Sequence, residues 1–440
     1  MAQRSHAVVL GASMAGLLSA RALSDHFERV TVVERDVLPT GPESRKGVPQ
    51  GQHAHGLLAS GFRIMDGYFP GLMAELEADG APVGDVVGDF LWFQYGHWKL
   101  RHNAGLGGIC VSRPCLEGRI RARVKAIANI ALLEDRDVLQ PVFDGVSKRV
   151  TGLQLRDRSA ATEEVLAADL VVDAGGRGSQ SPKWLEEWGF GRPPETVVKV
   201  DVGYATRVFE CKPGDMRGAM GAIIAGTAPE SRRYAALLGA EGNRWVATLA
   251  GMLGDYPPTD DAEWIEWARS LPVPDLYDLA RDRPAVGSIL SYRFPANQRR
   301  HYEKMERFPA GYLVTGDAIC SFNPIYGQGM SAAALEAQAL GECLDAGDEA
   351  LARRFFKRAG KIADIPWLVA TGEDFRYPEV EGKRPAGFKL VSRYLERLHR
   401  VAATDPVVCK QFFQVANLLA PPASVMAPGI ARRVLFSRAR

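Results

Sequence analysis

The stretch from His6 to Glu34 restricts the fold of this 440-residue chain more than any other. A short run ending in Val8, Val9 and Leu10 reads as a buried strand, Gly11, Ser13 and Gly16 follow without a linker, and helical spacing continues from Leu17 to His26. Val30 to Val33 then reads as the next strand, closed by the acid Glu34. Strand, glycine turn, helix and strand make a βαβ unit, which commits the chain to a parallel sheet covered by helices. In such a unit the first glycine makes the tight turn and the third lets helix and strand approach. The acid about twenty residues on accepts ribose hydroxyls. Ser13 replaces the second glycine, giving up some backbone approach to a pyrophosphate and offering a small hydroxyl donor. The turn residues Gly11, Ser13, Met14, Ala15 and Gly16, with Glu34, are the expected nucleotide-binding positions.

A second stretch, 314–330, reads as the end of a strand, a carboxylate at its tip and a helix starting near Gln328. Asp317, preceded by Gly316, can accept hydrogen bonds from ribityl or ribose hydroxyls. Gly327 and Gly329 let a large planar ring lie against bare backbone N–H groups, with Pro324 and Met330 flanking it. The positive end of the helix would stabilise negative charge on a flavin pyrimidine ring. By itself the stretch is equally an ordinary strand-turn-helix with a glycine hinge; the N-terminal unit tips the reading toward a flavin dinucleotide held at both ends.

Composition agrees with a soluble globular chain: 46% hydrophobic and 24% charged residues suit two or three packed layers. A net charge of +2 gives no reason to expect nucleic acid. The six cysteines contain no C-x-x-C pair and the chain starts without an apolar signal segment, so a cytoplasmic location is expected. No apolar run is long enough to span a bilayer, which limits membrane contact to a peripheral one. The last nine residues carry four arginines beside apolar positions and read as a solvated terminal helix or a contact for an anionic membrane.

Between the two informative stretches lies a polar loop over 35–56, long enough to suggest a function. Helical spacing resumes over 57 to about 69, two short aromatic strands flank a turn at Tyr95 and Gly96, and Ser112, Arg113 and Pro114 open a helix with proline at its first position. Strand-like segments recur from 130 to 155, a βα pattern returns at Asp173, and 196–294 alternates as an antiparallel sheet. Tyr234 with Leu237 and Trp245 with Leu249 read as core filling before a substrate box, with one face of such a sheet able to do both; Trp264 with Trp267 reads as core, and Cys320 as a small buried residue near the cofactor. The chain is mainly helical from 332 to 401.

Four separated motifs resemble, in order and spacing, the FAD-dependent monooxygenases of the p-hydroxybenzoate hydroxylase fold: the 11–16 turn with Glu34 and Arg35, Ser112 to Leu116, Asp173 to Ser179, and Gly316 to Gly329. The loop from Arg45 through His53 and His55, and the stretch from Thr371 to Pro378, are similar to a bacterial subgroup that includes the polyene epoxidases of polyether antibiotic pathways. The resemblance implies an α/β fold: a Rossmann-like FAD-binding domain with an interleaved antiparallel β-sheet substrate domain and a helical C-terminal region. Its FAD-binding segments would be 1–80, 112–190 and 296–346, its substrate segments 81–111 and 191–295, and its helical region 347–440. It adds Arg35 and Arg45 to the cofactor site, puts Arg113 near the ribityl or pyrophosphate, and puts the backbone at Val138 near the adenine.

The implied activity is monooxygenation. Reduced flavin and molecular oxygen form a C4a-hydroperoxide that epoxidises or hydroxylates an apolar, polyketide-like or isoprenoid-like small molecule. His53 and His55 lack a nearby cysteine or acid set, so no metal is expected; His55 is expected to help position the flavin. The chain has Asp173, Ala174 and Gly175 where aromatic hydroxylases carry Asp-Gly with a downstream arginine, and it lacks a second dinucleotide fingerprint. Two electron sources therefore stay open, NAD(P)H docking directly or a separate flavin reductase. An FAD-dependent reductase or dehydrogenase of prenyl chains and a flavin-binding redox sensor are the competing readings.

Overall fold

Short strands rich in valine and leucine and buried on both faces can pair only side by side beneath helices, and that is what the N-terminal unit does. The computed structural model describes residues 4–45 and 47–437. Five parallel strands lie in the order Tyr312–Val314, Leu170–Asp173, His6–Leu10, Arg29–Val33 and Ile130–Leu133. Strand order reverses at His6–Leu10, so a crevice opens at the carboxyl ends of the strands, where ligands of such sheets sit. Helices Met14–Ser24 and Gly329–Asp345 pack together on the sheet. An antiparallel meander, Arg136–Asp144, Arg149–Asp157 and Glu163–Ala167, adds Val150, Leu153 and Leu155 to the same core.

The glycine turn is as tight as the spacing predicts. Gly11 has φ +97°, and a Cβ on Gly16 would come within 1.8 Å of the Gly11 carbonyl oxygen. Neither position tolerates a side chain.

The second layer is an eight-stranded sheet in the order Cys320–Ser321, Ala285–Arg300, Glu195–Glu210, Arg244–Gly251, Arg233–Ala240, Gly221–Ala225, Phe90–Gln94 and His97–Trp98. It departs from the purely antiparallel expectation at one joint, where Gly221–Ala225 pairs parallel with Phe90–Gln94. Side chains alternate between its faces. One face packs Ala205, Leu249, Leu237 and Ile224 against Trp264 and Leu276 of helices Asp261–Arg269 and Asp275–Ala280. Trp264 is fully buried, and burial of such side chains stabilises by about 1.5–3 kcal/mol each. The opposite face is roofed by the C-terminal helices Phe388–Val401 and Pro406–Ala416 and the turn Pro422–Met426.

Two expectations shift slightly. Helix Arg113–Lys125 starts one residue before Pro114, with Ser112 as N-cap accepting from the Cys115 N–H. The terminal helix is Pro428–Phe436, and the last three residues of the arginine-rich tail, 438–440, lie outside the described residues, as does Lys46 of the basic loop. No helix among the described residues is long and apolar enough to cross a membrane.

Candidate functional site

A cavity of about 860 Å³ fills the crevice at the ends of the parallel strands. Its walls bring together the first turn (Gly11, Ser13, Met14, Ala15), the end of the second strand (Glu34, Arg35), Arg45, Arg113 and Val138, and the distant segment carrying Gly316, Asp317, Pro324, Gly327, Gly329 and Met330. Two expected residues stand apart. Gly16 is packed beneath the turn, and Gln328, capping helix Gly329–Asp345, lines a neighbouring cavity instead.

At one end of the crevice a buried chain of charges sets the electrostatics. Glu34 Oε2 accepts from the Ala12 N–H at 2.8 Å and pairs with Arg45 at 3.1 Å. Arg45 Nε donates to Glu117 Oε1 at 2.8 Å, and Arg113 meets Glu117 at 3.4 Å. Burial opposes the Arg45 charge, but Glu117 and Glu34 together outweigh it and hold the proton more tightly than usual. Arg113 Nη2 donates to Ser13 Oγ at 2.7 Å, which leaves the Ser13 hydroxyl hydrogen free to donate in turn. The cation that the sequence places unfavourably at a helix start is thus compensated by Glu117 and turned toward the first turn.

At the other end Asp317 faces the crevice, open to the cavity yet enclosed by protein, and among the described residues its carboxylate makes no hydrogen bond. Burial raises its pKa, partly offset by Arg113 and Arg177. Arg177 is a residue the sequence reading passed over. It lies over the Phe294 ring at 5.2 Å and donates to the Ala296 carbonyl at 2.5 Å, tying the parallel sheet to the large sheet. Behind Asp317, buried Glu336 accepts from Thr315 Oγ1 at 2.8 Å and the Gly316 N–H at 2.6 Å.

The 323–327 segment is propped from below. Asp374 accepts from Asn297 Nδ2 at 2.7 Å, Tyr326 Oη at 3.0 Å and Asn323 Nδ2 at 3.3 Å, while Asn323 Oδ1 accepts from Tyr204 Oη at 2.6 Å. Gly327 has φ +66°, and added Cβ atoms on Gly327 and Gly329 would meet nothing within 4 Å. Packing leaves room at both positions; the backbone conformation favours glycine at 327, and both glycines keep the crevice wall bare.

A second cavity, about 530 Å³ and mostly apolar, lies on the roofed face of the large sheet. Register fixes its floor: Tyr292, Tyr204, Ala250, Tyr234 and Ala225 are successive cross-strand partners, and Thr248, Ala236, Ile223 and Trp92 form the next row. Tyr234 is buried in the core on this face and also walls the cavity, so it does both; Leu237, Trp245, Leu249, Trp264 and Trp267 are core on the opposite face. The floor crosses five interstrand steps, a length of about 24 Å. At its far end Gln94, Glu373 and His399 supply polar groups, with Tyr95 Oη donating to both Glu373 oxygens at 2.8 and 2.7 Å.

The two cavities share a wall made of Gln50, Ala54, His55, Tyr292, Pro324 and Gly327. His53 is the buried anchor of this wall: Nδ1 bonds Thr206 Oγ1 at 2.7 Å, and the neighbouring Ala54 N–H donates to Thr248 Oγ1 at 2.8 Å. His55 Nδ1 donates to the His53 carbonyl at 2.8 Å, which leaves Nε2 as the lone-pair nitrogen. Burial and the Arg113 charge push His55 down to about 3, so it is neutral at physiological pH.

The parallel sheet joined to a large mixed sheet, with a crevice between them, defines the p-hydroxybenzoate hydroxylase type of fold. The chain superposes on the flavin-dependent brominase Bmp2 with a TM-score of 0.65 at 14% identity, covering 94% of each chain. With p-nitrophenol 4-monooxygenase PnpA from Pseudomonas putida DLL-E4 the TM-score is 0.65 at 16% identity, covering 95% of this chain and 99% of that one. At such identities these structures establish the fold and leave the reaction open. The chain belongs to the family of Protein Rv3254 of Mycobacterium tuberculosis (strain ATCC 25618 / H37Rv), with which it is 35% identical over 441 residues, 94% of this chain and 90% of the relative. No protein-family model matches the chain.

Proposed function

We propose that this protein is an FAD-dependent monooxygenase acting on an elongated, apolar small molecule. The observation that carries the reading is the shared wall: a polar crevice of dinucleotide-binding geometry meets an apolar cavity at Tyr292, Pro324, Gly327 and His55. The crevice suits FAD on three counts. Asp317 is a cavity-facing acceptor with no hydrogen-bond partner among the described residues, the Ser13 hydroxyl and the N-terminus of helix Met14–Ser24 suit a pyrophosphate, and the bare faces of Gly327 and Gly329 leave room for a flat ring. Glu34 and the Val138 backbone would hold the adenosine end, Arg35 and Arg45 would flank it, and Met14, Ala15, Pro324 and Met330 would enclose the rest.

When bound and reduced, FAD supplies the activation of molecular oxygen. The chain's own residues do the remaining work. The His53 anchor fixes His55 beside the ring site, the Asp374 cluster holds the 323–327 segment in place, and the apolar floor and helical roof exclude water and align the substrate. Among the shared-wall residues only His55 and Tyr292 titrate. Burial makes His55 a weak base and raises Tyr292 above its ordinary value, so neither readily removes a substrate proton. That favours epoxidation of an isolated alkene, which needs no base, over hydroxylation of a phenol. The balance is one oxygen atom to the substrate and one to water, with two electrons from NAD(P)H or from a separate flavin reductase. Incubation with long-chain polyenes, either electron source and ¹⁸O₂ tests this: label in the product supports it, whereas turnover without label identifies a reductase of prenyl chains.

A further inference from the structure

The mouth of the apolar cavity is built from side chains that lie on the cavity wall and the outer surface at once. Leu368, Val391 and Met426 line the cavity while being 50%, 39% and 45% exposed, and exposed Pro385, Ala386 and Ala423 complete the rim. Leu390, beside Val391, is 74% exposed. Soluble chains rarely cluster apolar surface around an opening without a partner for it.

The charges around this rim are one-sided. Helix Phe388–Val401 turns Phe388, Val391, Ser392, Leu395, Leu398 and His399 toward the cavity, a single stripe at helical spacing. Lys389, Arg393 and Arg400 form a second, outward stripe, and Lys383 lies on the loop just before the helix; all four are exposed, and none has an ion pair among the described residues. Every acid between 375 and 437 is already paired: Glu379 with Arg232, Glu381 with Lys199, Glu396 with Arg376, and Asp405 with Arg433. The uncompensated charge at the mouth is therefore positive.

We propose that the mouth formed by Leu368, Val391, Met426 and the basic outer stripe of helix Phe388–Val401 docks on an anionic lipid surface, through which the apolar substrate enters. Apolar residues set among free cations are the combination that an interfacial membrane contact requires. This inference rests on reading the second cavity as the substrate site. It spares an apolar molecule the passage through water, and it places the polar end of the cavity, at Gln94, Glu373 and His399, ready to receive the substrate's own polar terminus.

The test is co-sedimentation of the FAD-loaded protein with phosphatidylcholine vesicles, pure or containing about one third phosphatidylglycerol. The protein is expected to pellet with the anionic vesicles and much less with the neutral ones. Each cation contributes roughly a fivefold gain at such a surface, so the triple variant K389Q/R393Q/R400Q should bind on the order of a hundredfold more weakly. L390E should also lose binding while melting like the parent, because Leu390 lies outside both cavities. A parent protein that stays in solution with anionic vesicles, or a triple variant that binds like the parent, overturns the proposal; the first result would point to an acidic protein as the occupant. The visible spectrum of the same samples reports flavin occupancy, so a failure of docking is separable from a failure of the cofactor assignment.

Discussion

Replacing Gly329 by leucine separates the cofactor site from the stability of the fold. Gly329 opens helix Gly329–Asp345 with an ordinary backbone conformation, lines the crevice, and would carry a Cβ that meets nothing within 4 Å. A side chain there starts into open space, and leucine improves helix propensity by up to about 0.8 kcal/mol, less at a first position. The unliganded variant should be as stable as the parent to within about 1 kcal/mol. Its side chain would nonetheless enter the space proposed for the flavin ring. At FAD concentrations a hundred times the parent's Kd the parent gains about 2.7 kcal/mol of unfolding free energy, a gain the variant should largely lose. Urea melts with and without FAD, together with a titration of flavin fluorescence, read both quantities. Parent-like FAD affinity in Gly329→Leu would refute the placement of the ring, and a loss of more than about 2 kcal/mol without FAD would refute the open space.

Asp317→Ala should weaken FAD binding by roughly ten- to a hundredfold, the loss of a charge-assisted hydrogen bond; full flavin occupancy after extensive dialysis would remove that role. Asp374→Ala strands Asn297, Asn323 and Tyr326 and should destabilise the protein by about 3 kcal/mol or more in denaturant melts. Burial lifts Asp374 and Glu336 each to about 7, from ordinary values of 3.8 and 4.5. The folded chain thus holds protons that the unfolded chain releases, so this contribution is fully present below about pH 4 and fades as pH rises through about 7. Stability measured against pH should decline across that window, with a shallower slope in D374N and E336Q; parallel curves would contradict the assignment.

Local physics explains which parts of the fold and site were legible in the sequence. Gly11, Gly16, Gly316 and Gly327 answer to backbone geometry within a few residues, so the βαβ turn and the later strand-to-helix turn could be read before their meeting across the crevice was visible. The joint between Gly221–Ala225 and Phe90–Gln94 could not be read, because period-two alternation fixes the faces of a strand and not the direction of its neighbour. Tyr234 shows the same limit: alternation says that it and Leu237 face opposite sides, but which side is packed and which is hollow depends on the C-terminal roof. Arg177 and Asp374 have their partners more than fifty residues away in most cases, at Ala296, Asn297 and Asn323, and no spacing rule spans such gaps. The one hint for Arg177 was its place just after the strand that ends at Asp173, at the open end of the sheet.

The most direct measurement is an absorption spectrum of the protein after incubation with excess FAD and removal of the unbound cofactor. Retained flavin bands at about one cofactor per chain are the predicted result. A preparation that loses all colour on the column while its circular dichroism shows an intact fold would contradict the assignment of the crevice.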